Sequence, residues 1–124
     1  SMQITIGTDD GQTFQTEIEE SAKLVGKKIE DEFDGGIVGL SGYTLEITGG
    51  SDRSGFPMRE TIEGSERERV LIEEGSGIDV SEDGVRERKS VRGKRVSDEI
   101  QQLNTRVVEE GSKSVEELLG EDEE

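Results

Sequence analysis

The side chains able to do chemistry are unevenly placed. Residues 85–95, VRERKSVRGKR, carry Arg86, Arg88, Lys89, Arg92, Lys94 and Arg95 against one acid, Glu87, in a chain of net charge −16. Lys and Arg spaced along one segment neutralise successive phosphates, so a basic island in acidic surroundings points to a polyanion. The same run also reads as an internal strap paired with the protein's own carboxylates. In an extended segment Arg86, Arg88 and Arg92 share one face, and Lys89 and Arg95 the other. The second candidate is the stretch 49–58, GGSDRSGFPM. Its Gly and Ser peptides can turn several N–H groups toward one anion, Arg53 and the following Arg59 add charge, and Phe56, fixed before Pro57, can stack on a base. The bland reading is a structural turn in which Asp52 accepts backbone N–H bonds and Phe56 joins the core.

What is missing narrows the chemistry further. The 124 residues include no histidine and no cysteine, which removes disulfides, imidazole or thiolate metal sites and the Ser–His and Cys–His nucleophile arrangements. Asp9/Asp10 and Asp31/Glu32 lack the spacing of a calcium loop. Gly111-Ser112-Lys113-Ser114 lacks the glycine that a phosphate-binding loop needs directly before its lysine, where Ser112 stands. No catalytic residue, metal site, cofactor or small-molecule substrate is expected.

Composition bounds the rest. Charged residues make up 37% and hydrophobic residues 27% of the chain, enough for one modest core. Asp and Glu are spread along the whole length rather than gathered in a tail. That distribution predicts a solvated surface adapted to concentrated salt, where repulsion among carboxylates is screened. No apolar run reaches the length of a membrane helix and no apolar leader opens the chain, which predicts a soluble cytoplasmic protein. Ser1, before Met2, reads as a cloning remnant.

Short strands punctuated by glycine must position these groups. Residues 2–6 and 12–18 predict two strands around an Asp-Gly turn. Residues 19–28 predict a helical turn capped by Ser21 and stopped at Gly26, and 37–48 a strand bent at Gly39 and Gly42. The loop 49–58 interrupts that strand, 69–73 predicts another, and 74–84 a glycine-rich loop. Ser97 predicts a brief turn before a final strand near 105–108. Ser114 and Glu117 form a capping box for a short helix through Leu119, followed by a disordered acidic tail at 120–124. The resulting expectation is a mainly β fold: a small curved or closed barrel of about six short strands with one or two short helices, forming one domain over 2–119.

Three segments in order, ITGGSDRSGFPM at 47–58, RKSVRG at 88–93 and QLN at 102–104, resemble the small-subunit ribosomal protein S6e family of archaea and eukaryotes, in its short archaeal form. The acidity adds the expectation of a haloarchaeal source. By motif position, Gly49, Gly50, Asp52, Gly55, Pro57 and Met58 match the family signature, and Lys89, Ser90, Arg92 and Gly93 match the second segment. The resemblance implies a non-enzymatic structural constituent of the small ribosomal subunit, whose partners are small-subunit ribosomal RNA and neighbouring ribosomal proteins. Arg53, Phe56, Arg59, Arg86, Arg88, Lys89, Arg92, Lys94 and Arg95 are the residues expected on RNA, with 85–95 ordered only when bound. The alternative is a free acidic protein-interaction module with no RNA role.

Overall fold

The computed structural model describes residues 1–73 and 86–122, leaving aside the side chains of 71–73, 86–88 and 121–122. The predicted loop 74–84, Val85 and the last two residues of the acidic tail lie outside the described residues. The elements are β1 (Met2–Gly7), β2 (Thr13–Ile18), β3 (Glu32–Asp34), a 3-10 turn (Gly35–Val38), β4 (Thr44–Asp52), β5 (Arg67–Glu73), β6 (Arg86–Arg92), β7 (Ile100–Glu109) and α1 (Val115–Asp122).

Five strands form one sheet in the order β2-β1-β7-β4-β3, and β5 pairs with β6 in a separate two-stranded sheet. All pairs are antiparallel except β1 with β7, which run parallel. Alternation does the sorting: Met2, Ile4 and Ile6 on β1, Leu45 and Ile47 on β4, and Leu103 and Val107 on β7 all point to one buried face, as a period of two requires.

The expected closed barrel is not what forms. The sheet is open, with β2 and β3 as its two edges. Its apolar face is covered instead by irregular chain and by α1, through Leu24, Ile29, Val38, Leu40, Val96 and Val115, all in the core cluster. The stretch 26–31 holds this cover in place, bonding by main chain to Val96, Lys94 and Ile47. A sheet lidded by loops needs no strand-to-strand closure to hide its hydrophobic side.

Other boundaries shift for identifiable reasons. The segment 37–48 does not run as one strand. Asp34 caps the 3-10 turn by accepting from the Gly36 N–H, and Gly39 ends it at φ 92°. With Gly42 also at φ 86°, only Thr44 onward is extended. Conversely, β4 runs on through Gly49 and Gly50 to Asp52, with a register shift between Ile47 and Gly49; the pairing with β7 outweighs the weak strand preference of glycine. Ser97 makes the expected turn, its carbonyl accepting from the Ile100 N–H at 3.2 Å, but the last strand is far longer than 105–108. The Ser114 hydroxyl accepts from the Glu117 N–H at 3.1 Å, confirming the cap, while α1 continues past Leu119 to Asp122, so Gly120, Glu121 and Asp122 are helical. No helix among the described residues is long and apolar enough to cross a membrane.

Candidate nucleic-acid interface

Everything at the basic end of the molecule is anchored on Asp52. It is the last residue of β4 and its side chain is only 1% exposed. Oδ1 accepts from the Ser54 and Phe56 N–H groups, both at 2.9 Å. Oδ2 accepts from Nη2 of Arg67 at 3.1 Å and from Nε of Arg92 at 2.9 Å. The turn is closed by main-chain bonds from the Asp52 N–H to the Phe56 carbonyl and from the Gly55 N–H to the Asp52 carbonyl, and Gly55 takes φ 87°, which glycine adopts without strain. Burial pushes the Asp52 carboxyl up, but the bonds from Arg92, the Phe56 N–H, Arg67 and the Ser54 N–H outweigh it and hold the group down at about 2. It is ionised at any ordinary pH.

Two guanidiniums on one buried carboxylate fix the geometry of what lies outside. Arg92 is largely enclosed, its side chain 11% exposed, and its Nη1 also donates to the Ser65 carbonyl at 3.2 Å. Arg67 is more open, at 42%, and its guanidinium carbon sits 4.5 Å above the centre of the Phe56 ring, a cation–π arrangement. Phe56 is half-buried, so it does not simply join the core: it is stacked under Arg67 at the surface. Phe56, Pro57, Arg69, Lys89 and Ser90 together line a shallow hollow.

The main chain stitches the turn to the basic segment. The Arg92 N–H donates to the Pro57 carbonyl, and the Arg59 N–H to the Arg92 carbonyl. Gly93 must be glycine, because a Cβ there would stand 2.1 Å from the Gly64 carbonyl oxygen. Gly50 is constrained in the same way, with a Cβ falling 2.6 Å from the Gln102 carbonyl oxygen. Pro57 and Met58 bridge to Ser51 and Arg92, and Met58 is buried.

The basic residues therefore divide. Residues 86–92 are a strand hydrogen-bonded to β5 rather than a segment waiting for a partner to order it. Arg92 serves the fold, its charge already matched by Asp52. Lys94 lies 3.0 Å from Glu63 Oε1, and Arg95 donates to the Gly26 carbonyl while remaining exposed. Arg53, Arg59 and Lys89 are exposed. Arg86 and Arg88 stand in register with Glu73 and Leu71. The antiparallel pairing also brings in two cations that the local sequence reading missed, Arg67 opposite Arg92 and Arg69 opposite Ser90. Their two-residue spacing in RERVLIE was the available signal. By the same pleat, Arg67, Arg69, Ser90 and Arg92 continue in a row with the backbone positions of Arg88 and Arg86. Among the described residues no cluster of acids could hold a metal ion.

A basic row beside an aromatic turn suits phosphate and base contact, and comparison with known proteins gives the family. The family model of ribosomal protein S6e matches residues 2–120. Small ribosomal subunit protein eS6 of Methanothermobacter thermautotrophicus is 52% identical over 119 residues, covering 94% of each chain. The same protein of Halobacterium salinarum is 48% identical over 116 residues, covering 92% of this chain and 88% of its own. That of Haloarcula marismortui is 42% identical over 118 residues, covering 94% and 92%. With the fold and the Asp52 turn in place, these matches show that the chain belongs to the ribosomal protein S6e family.

Proposed function

We propose that this chain is a non-enzymatic structural constituent of the small ribosomal subunit, and that it binds small-subunit ribosomal RNA through the β5–β6 hairpin and the turn at Asp52. It works in the cytoplasm, within the ribosome, as one domain over residues 2–119 alongside neighbouring ribosomal proteins, and uses no small-molecule substrate. The observation that carries the RNA contact is the placing of Arg67 and Arg69 in one row with the Arg88 position, next to the Phe56 ring, with Lys89 on the rim of the same hollow. Phosphates lie along the arginine row, while an unstacked base enters the hollow against Phe56 and Pro57. Arg53, Arg59, Arg86, Lys94 and Arg95 extend the contact on either side. Arg92 acts from behind, by fixing Asp52 and through it Arg67.

The dispersed acids support a second part of the reading, a haloarchaeal protein working in concentrated salt. There the gain from counterion release largely vanishes. Affinity must then come from bidentate arginine geometry and stacking, for which exposed Arg69 and the Phe56 ring are the groups at hand.

Replacing Arg69, Arg88 and Lys89 together by Ala tests the assignment. The folded variant is expected to co-sediment with small subunits far less than the parent protein; equal co-sedimentation refutes it. The rival reading, a free acidic module with an internal basic strap, draws support from Asp52–Arg92 and Lys94–Glu63. It predicts purification of the native protein in an RNA-free complex.

A further inference from the structure

The outward face of the five-stranded sheet carries an anomaly of its own. Across β2, β1, β7 and β4 the outward positions near the centre are Gln15, Gln3, Thr5, Gln102, Asn104 and Ser51, brought together by the register of these strands. None of them is charged, in a chain where charged residues make up 37%. The amides form a connected layer: Gln3 donates to Gln15 at 3.1 Å, and Gln102 donates to Thr5 at 3.3 Å and to Asn104 at 3.4 Å. Charge returns around it, with Glu17 opposite Gln3 on β2, the Arg106–Glu46 pair between β7 and β4, and Glu32 opposite Glu46 on β3.

Two glycines on the same face sharpen the point. Gly7 and Gly49 lie in strands with ordinary negative or extended φ. A Cβ on either would meet its nearest neighbour at 3.8 Å, Thr105 O for Gly7 and Asn104 Nδ2 for Gly49. Gly49 stands at the register shift of β4, which glycine eases, whereas Gly7, regularly paired to Thr13 and Arg106, needs glycine for neither conformation nor packing, unlike inward Gly50 and buried Gly93. Glycine inside a strand weakens it, and one with no internal reason marks close approach by something outside the fold.

We propose that this face docks on the shallow minor groove of a double-helical RNA. The inference rests on the ribosomal RNA reading above and adds a second surface to it. A groove of that kind is wide and shallow and displays 2′-hydroxyls and base edges, groups that amides and hydroxyls can both donate to and accept from. Carboxylates facing flanking phosphates would be repelled, which accounts for their absence from the six central positions. A protein partner is disfavoured because the patch has no aromatic or large apolar anchor of the kind found at protein interface cores. The face is also continuous along β4, through Ser51, with the turn at Asp52.

The test uses the full chain in assembled small subunits. The near-isosteric change Gln15→Glu keeps the oxygen that accepts from Gln3 and adds charge without changing shape, and Gly7→Val adds bulk where the fold has room. In competition with the parent protein for subunit assembly, each variant is expected to take a share lower by roughly tenfold or more while its thermal unfolding stays close to the parent's. An equal share overturns the proposal. A photoreactive side chain placed at exposed Gln15 reads the same surface without depending on either variant. An adduct with RNA is expected, and an adduct with a protein, or none, overturns it. The same probe at Arg69 separates the two readings: RNA adducts at Arg69 but not Gln15 sink this inference alone, and none at either sinks both.

Discussion

Asp52→Asn is the most informative single change to the fold. The substitution keeps shape and leaves an oxygen able to accept from the Ser54 and Phe56 N–H groups. It removes the charge shared by Arg67 and Arg92. Arg92, 11% exposed, is then a nearly buried cation with no anion, and stranding one member of a buried pair costs about 3–5 kcal/mol. Arg67 is 42% exposed, so water compensates most of its loss. Retained N–H bonds bring the expected cost to about 3 kcal/mol, read as a lower denaturation midpoint at constant slope. Adding Arg92→Met to the variant removes the stranded charge and should recover part of that loss. The pH dependence is signed. Asp52 is lowered from 3.8 in the unfolded chain to about 2 in the folded one. Its stabilisation is therefore complete above pH 3.8 and is lost as pH falls toward 2, about 2 kcal/mol in all. Many other carboxylates titrate in that range, so the quantity to follow is the parent-minus-variant difference, which should shrink through that window. A cost below about 1 kcal/mol at neutral pH, or a difference that stays flat on acidification, would refute the two-guanidinium account.

Two further outcomes follow from the packing and the charge. Gly93→Ala puts a Cβ 2.1 Å from the Gly64 carbonyl oxygen, so it should destabilise by about 3 kcal/mol or more and loosen the Arg92 main-chain bonds; an unchanged melting temperature would contradict the close approach. With a net charge of −16, circular dichroism in molar KCl should show more ordered structure than in about 0.1 M, and equal spectra would count against adaptation to salt.

Much of this was legible in the sequence where one residue type has one physical use. The capping box at Ser114, the first strand at 2–6 and the turn at Asp52 are short-range patterns, and each forms as the local chemistry requires. The open sheet was not legible, because a chain of short strands with glycines does not say whether strands or loops cover the apolar face. Leu24, Ile29 and Val96 do the covering here, through contacts between segments distant in sequence. The same limit applied to the basic segment. Its composition marked it as a cationic run, yet only the pairing with β5 separates Arg92, bound to Asp52, from its neighbours, and adds Arg67 and Arg69 to the row.

The central claim is that cations on the β5–β6 hairpin and the aromatic turn beside it lie on RNA. Photo-crosslinking from Lys89 and Phe56 within intact small subunits, with every adduct sequenced, tests it most directly. Adducts to ribosomal RNA from both positions are the predicted result. Adducts confined to protein, or a hairpin that yields none, would contradict it.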